Sequence, residues 1–495
     1  MDPADLTALD ALSLIRSRKL SPVELAQACI ARTEAINPAV NAVIAWNPDQ
    51  ILTEARRAET VLTRGRAGAL CGLPVAIKDE IDVKGLPTTN GSELFADHIA
   101  DGDDAIVTAL RTAGAAILGK TNIPEWSAGA NTRNRVWGVT ANPYDLDKSC
   151  AGSSGGSAVA LACGMAPLAT GSDMGGSLRN PAAFCGVVGF RPSPGVVPGN
   201  TRGLGPLWLS TAGPMARNVS DLALLLSVMA RPDAGDPYTT VVDGRTAWDP
   251  RDLALPGRAN LRRIRVAATA DFGFAPTEKR VRQTFDAALA ALAPSLPMLE
   301  ECAPDCTGAD RIFAVLRAIA FLAQHHDRTV AHPDKVGPNV TRNVEEGLQY
   351  RALDVARALA DQTSYQRRWG AFFEECDVLI SPAVCLAPRP WREHFPTQID
   401  GTPTQSYFHW LANAYAVTLA GHPAVTLPCG LDADGMPFGL QLIGRRHGDA
   451  ALLAVATAVE ATIAEIPSLV TPTPDIAALR AAQPLSLATG FRDAG

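Results

Sequence analysis

Lysine is scarce in this chain: only Lys19, Lys78, Lys84, Lys120, Lys148, Lys279 and Lys335 stand among its 495 residues, against many arginines. The net charge is −7, without a basic tract, so a nucleic-acid partner is not expected. Cysteines lack pairing as well. Cys29, Cys71, Cys150, Cys163, Cys185, Cys302, Cys306, Cys376, Cys385 and Cys429 form no Cys-x-x-Cys, and Cys302 and Cys306 have no histidines nearby to complete a zinc knuckle. They read as free thiols of a reducing cytoplasm. Apolar runs such as residues 222–230 are too short to span a bilayer. The first nineteen residues mix acids and bases and hold no apolar leader core. The expectation is a soluble cytoplasmic protein without a membrane partner.

What is present is ordinary globular material, 47% hydrophobic and 19% charged, enough for a large core. Ser21-Pro22-Val23-Glu24 carries a cap residue, a proline at the first helical position and a glutamate at the third, and opens an amphipathic helix over 25–36. The first seventy residues read as helices. A strand over 73–77 ends on Lys78, a helix covers 104–113, and a short strand follows at 115–118. Later segments read as helices at 157–164, 221–229, 278–297, 309–378 and 449–464, with strands at 378–380, 424–428 and 438–444. Residues 231–260 read as a surface excursion. Alternating short apolar strands and helices predict an α/β layered fold. Strands at both ends suggest one sheet closed by the N- and C-terminal parts, with the helical block laid over it.

Three features carry candidate chemistry. Lys78 ends an apolar strand, where low dielectric disfavours the ammonium form and turns a lysine into a base near neutral pH. A lysine snorkelling to solvent, or paired with Asp79 or Glu80, fits the same residues. The loop from Ala151 to Ser157, Ala-Gly-Ser-Ser-Gly-Gly-Ser, resembles a phosphate cradle, but no Gly-Lys-[Ser/Thr] trails it. In Gly171-Ser172-Asp173-Met174-Gly175-Gly176-Ser177, two glycines before a serine let successive N–H groups aim at one point beside the hydroxyl. A tight turn capping a strand explains them equally. The eight histidines follow no motif near these serines, no serine lies three residues before a lysine, and His-Glu-x-x-His is absent. Serine with a lysine base survives.

Together these residues are specific. Gly72-Leu73-Pro74-Val75-Ala76-Ile77-Lys78-Asp79, Gly119-Lys120-Thr121-Asn122, the two serine loops with Leu178-Arg179, the run from Pro181 to Pro192, Thr211-Ala212-Gly213-Pro214-Met215-Ala216-Arg217 and Ala420-Gly421-His422-Pro423-Ala424 closely resemble the amidase signature family. The resemblance runs from about residue 6 to 465 and is weakest over 231–415. It implies a single domain, residues 1–495, with a central mixed sheet flanked by helices. Within it lie a signature core at about 65–230, a variable substrate-selecting part at about 278–415, and a C-terminal part rejoining the sheet at about 416–470.

By matching position, the resemblance implies Ser177 as nucleophile, Ser153 as a proton relay preceded by a cis peptide from Gly152, and neutral Lys78 as base. Backbone N–H groups of Met174, Gly175, Gly176 and Ser177 would form the oxyanion hole. Ser127, Ala128 and Gly129 would contact substrate. No metal or organic cofactor is implied, and a homodimer only at the level of the family. Asp173 and Arg179 read as braces of the loop. In a chain with 6% aromatic residues, Trp126, Trp137, Trp208 and residues 312–321 are the candidate liners for an aryl or alkyl group, although packing in the core explains the tryptophans equally. The expected partner is a small amide, ester or carbamate.

The alternative is the A-type component of a glutamine-dependent amidotransferase. There the family uses an arginine and an aspartate to hold glutamine, and this chain has neither pattern around Gln349-Tyr350-Arg351 or Trp410-Leu411-Ala412-Asn413. A family-derived binding protein with dead chemistry is disfavoured by the intact Lys78, Ser153 and Ser177.

Overall fold

Eleven strands form one sheet in the computed structural model, which describes residues 2–199 and 202–493. In chain order they are β1 (Val43–Ala45), β2 (Pro74–Lys78), β3 (Ala116–Thr121), β4 (Leu168–Asp173), β5 (Val188–Arg191), β6 (Thr211–Ala216), β7 (Val266–Ala268), β8 (Leu299–Glu301), β9 (Val378–Pro382), β10 (Ala424–Leu431) and β11 (Pro437–Gly444). Across the sheet the order is β1-β3-β2-β4-β6-β5-β10-β11-β9-β7-β8. The pairs β3/β2, β2/β4, β9/β7 and β7/β8 are parallel and the rest antiparallel. This is a large mixed sheet with helices packed on it, a single α/β domain.

The inner strands β2 and β4 are buried at every residue but Ser172, and their mostly small or apolar residues admit helices on both faces. The predicted capping box is present: Ser21 Oγ accepts the Glu24 N–H at 3.0 Å, and Glu24 Oε2 accepts the Ser21 N–H at 2.7 Å. It starts the helix Pro22–Val40. The block expected to be helical over 309–378 is three helices, Ala309–Ala331, Pro338–Gln349 and Ala352–Glu375, the second begun by a proline whose missing N–H costs nothing there. All ten cysteines are free, and only Cys302 is exposed.

Parallel pairing of β2 with β4 sets their C-terminal ends side by side, where α/β proteins place their ligand sites. Lys78 is the last residue of β2, and its N–H donates to Thr170 Oγ1 of β4 at 3.1 Å. The helix Gly155–Ala162 packs on β2 and β4 with Ser153 just before its start.

Behind the sheet, Glu460 on the helix Asp449–Glu465 accepts the Val219 N–H at 2.9 Å. Burial pushes this carboxyl up to about 7, with Asp221 adding repulsion. The folded protein therefore holds a proton that the unfolded chain releases near pH 4.5, and stability falls as pH rises between those values. Glu460→Gln keeps the acceptor without the charge. It is expected to raise stability at pH 8 by about 2 kcal/mol and to change little at pH 4, read by thermal unfolding at the two pH values.

Candidate active site

Lys78 is fully buried, and its Nζ donates to Ser153 Oγ at 2.7 Å and to Ser172 Oγ at 2.8 Å. Burial holds its pKa below that of a free lysine, against the opposing pull of Glu80 and Asp173. Glu80 Oε1 lies 3.6 Å from Nζ, while its Oε2 accepts the Ser127 hydroxyl at 2.5 Å. Asp79, the other acid near Lys78 in sequence, faces Lys120 at 3.3 Å instead. Scarce as lysine is, two of the seven are thus buried outright, each in its own polar setting.

Ser153 is fully buried and follows a cis peptide from Gly152, as the resemblance implies. Ser177 is half-buried and lies on the wall of a cavity of about 550 Å³ with Ser153, Ser172 and Glu80. Its carbonyl accepts the Ser154 N–H at 3.2 Å, which ties the two serine loops together.

The turn before Ser177 depends on Gly176, whose φ is +98° and whose absent Cβ would lie 2.5 Å from the Ala414 Cβ. Beneath it Asp173 is fully buried, with Oδ1 accepting from Gly176 N–H (2.9 Å) and Oδ2 from Leu178 N–H (3.2 Å). Arg179 grips both of its oxygens at 2.8 and 2.9 Å, and Arg191 lies 3.4 Å from Oδ1. Burial opposes this carboxylate, but Arg179 and Arg191 outweigh burial and hold its pKa well below the ordinary value. Of the four expected oxyanion donors, the Gly176 N–H is the one that Asp173 engages in this structure. Met174 and Gly175 stand on the cavity wall with Ser177.

Of the expected substrate contacts, Ser127 and Gly129 line the cavity, whereas Ala128 is buried beside it and its carbonyl accepts from Asn339 Nδ2 at 2.7 Å. Trp126 lines the cavity. Trp137 donates to Thr89 Oγ1, and Trp208 packs edge-on to Tyr238; both stand off the cavity wall. From residues 312–321 the wall takes Arg317, Ala320 and Phe321.

Several features escape a reading by motif. Ser172 is the second acceptor of Lys78, hidden in what reads as a glycine-rich loop but is the end of β4. Residues 114–121 spell a phosphate-loop pattern, yet 116–121 are strand β3, so their backbone is spent on pairing. Ser154 sits at the centre of a Gly-x-Ser-x-Gly spelling, but it is buried and its Oγ accepts the Ser172 N–H at 3.3 Å.

Comparison with known proteins agrees with this geometry. The amidase family model matches residues 24–453. The chain belongs to the amidase family. It is 34% identical over 462 residues to an acylamidase of Rhodococcus erythropolis, covering 92% of this chain and 95% of that protein. It is 32% identical over 475 residues to the A-type component of the glutamyl-tRNA(Gln) amidotransferase of Symbiobacterium thermophilum, covering 90% and 94%. Among solved structures, a bacterial aryl acylamidase of the amidase signature family superposes with a TM-score of 0.85 at 25% identity, covering 94% of this chain and 98% of that one. The 6-aminohexanoate cyclic dimer hydrolase complexed with substrate gives 0.82 at 26%, covering 96% and 100%. The chain is therefore an amidase signature hydrolase acting on amide C–N bonds. Among the described residues no helix is long and apolar enough to cross a membrane.

Proposed function

We propose that this chain is a stand-alone amidase that cleaves aryl and alkyl carboxylic amides, and the corresponding esters, through an acyl-enzyme on Ser177. The observation that carries this reading is the 2.7 Å contact of Lys78 Nζ with Ser153 Oγ, on a cavity whose wall holds both Ser153 and Ser177. Neutral Lys78 takes the Ser153 proton as Ser153 takes that of Ser177, and Ser177 Oγ attacks the carbonyl carbon. N–H groups at Met174, Gly175 and Ser177 receive the oxyanion. The C–N bond breaks as the proton returns through Ser153 to the leaving nitrogen. Water then repeats the relay, takes the acyl group from Ser177 and releases the acid. Carbamates present the same carbonyl and nitrogen, and their cleavage is accessible to the same steps.

The amidotransferase reading has relatives behind it, but the only acids on the cavity wall among the described residues, Glu80 and Asp104, are both engaged and leave none for glutamine's amino group. Leu411, from the segment where a glutamine-holding aspartate is expected, offers only an apolar wall. The purified chain, without partners, is expected to hydrolyse an anilide and an aryl ester and to turn over free glutamine at least a hundredfold more slowly. Release of aniline, phenol and ammonia measures the three. Turnover of glutamine alone overturns the proposal.

A further inference from the structure

Arg317 lies on the helix Ala309–Ala331 and is 5% exposed, yet no carboxylate among the described residues pairs with it. Other buried guanidinium groups find acids: Arg179 and Arg191 share Asp173, and Arg202 pairs with Asp236. Buried Arg133 lacks one but donates to the Trp391 carbonyl. Arg317 instead directs Nε and one terminal nitrogen at a single phenol oxygen, that of Tyr407. Its other terminal nitrogen has only the Met174 sulfur, at 3.5 Å. A thioether is a weak acceptor, so a guanidinium with five N–H donors is left with donor capacity unspent.

The group is held still. Rings of Phe321, Tyr407, Phe408 and Phe313 surround its central carbon at 4.6, 5.2, 5.4 and 6.0 Å. Cation–π contacts offset part of the desolvation and fix the plane of the guanidinium, but they supply no counter-charge. The side chain stands on the cavity wall, against Met174, three residues before Ser177. Acids already in the cavity are engaged elsewhere: Glu80 with Lys78 and Ser127, and Asp104 with the Ile106 N–H that it caps.

We propose that Arg317 determines specificity by binding a carboxylate on the substrate, so that the preferred amides are anionic at an end remote from the scissile bond. A planar guanidinium meets a carboxylate through two parallel N–H donors, and preorganisation in the ring cage lowers the entropy lost on binding. The proposal rests on the reading of this cavity as an amide-cleaving site.

The test uses N-phenylsuccinamic acid and its neutral primary-amide isostere. In the Ser177→Ala background, calorimetry is expected to find the acid bound about thirtyfold more tightly, in keeping with a charged hydrogen bond. Adding Arg317→Gln erases that ratio, and adding Arg317→Lys retains part of it. With active enzyme, the ratio of kcat/KM for acid over isostere falls by the same factor in Arg317→Gln, mainly through KM. Equal binding of the two ligands to Ser177→Ala overturns the proposal without any change at Arg317, so a poorly folding variant does not shield it. A preference that survives Arg317→Gln overturns it too. If the Arg317-dependent preference is present but the active chain cleaves no amide, the proposed function fails and anion recognition by Arg317 stands.

Discussion

Ser177→Ala is expected to lower amide turnover on the order of 10⁵-fold while leaving the thermal unfolding midpoint nearly unchanged. The side chain lies at the wall of the cavity, so its loss removes the proposed attacking atom and little packing. Lys78→Ala should cost nearly as much, because the proposed mechanism puts the two in one proton path, where losses do not add. The pH profile separates their roles. Lys78 must be neutral to accept a proton, and burial lowers its pKa from that of a free lysine. The wild-type rate should therefore fall tenfold per pH unit below that lowered pKa and level off above it. A rate flat through the acid range contradicts lysine as the base. Mass spectrometry of enzyme quenched with an aryl ester should find the acyl group on wild type and none on Ser177→Ala.

Asp173→Asn is expected to be the most damaging substitution outside the proton path. It leaves Arg179 and Arg191, both fully buried, without a counter-charge. Breaking a buried pair on one side costs about 3–5 kcal/mol, more than removing both partners. The cost extends to function, because the same carboxylate holds the Gly176 and Leu178 N–H groups on either side of Ser177. The unfolding midpoint should drop by on the order of 5 °C, and the residual folded enzyme should lose most of its kcat. If the folded variant keeps wild-type kcat, the brace does not position Ser177.

Elements with strong local patterns could be read from the chain, and those set by neighbours could not. The apolar strand into Lys78 and the capping box at Ser21 announce themselves. Strand β4 does not: Thr170, Gly171, Ser172 and Asp173 look like a loop, yet they are strand because β6 pairs along all of them, while β2 pairs only with Leu168 and Ala169 just before. A Cβ at Gly171 would meet Leu178 Cδ2 at 2.6 Å and Ser154 Oγ at 2.7 Å and push both side chains aside, a contact invisible before the chain folds. Strands β7 and β8 hold three residues each, too few to show a period. The three residues of the proposed proton path stand out only because several motifs occur in one order. Lys78 alone reads as well as a lysine paired with its neighbours, and Glu80 does lie close to it. Arg317 looks like any arginine of an amphipathic helix. What sets it apart is that, among the described residues, it meets neither an acid nor a backbone carbonyl, and that is a property of packing between distant segments.

The order of strands has a consequence for biosynthesis. Strand β5, residues 188–191, finds its outer neighbour only in β10, residues 424–431. A ribosome adding 5–20 residues per second delivers Lys78, Ser153 and Ser177 and then takes roughly 10–50 s to supply that neighbour. Throughout that interval the nascent chain displays the backbone edge of β5, which is a template for mispairing between chains. Messages cut short before codon 424 should therefore yield aggregates rather than a smaller working enzyme, and production in a cell should respond to chaperones that hold the growing chain until its last strands emerge.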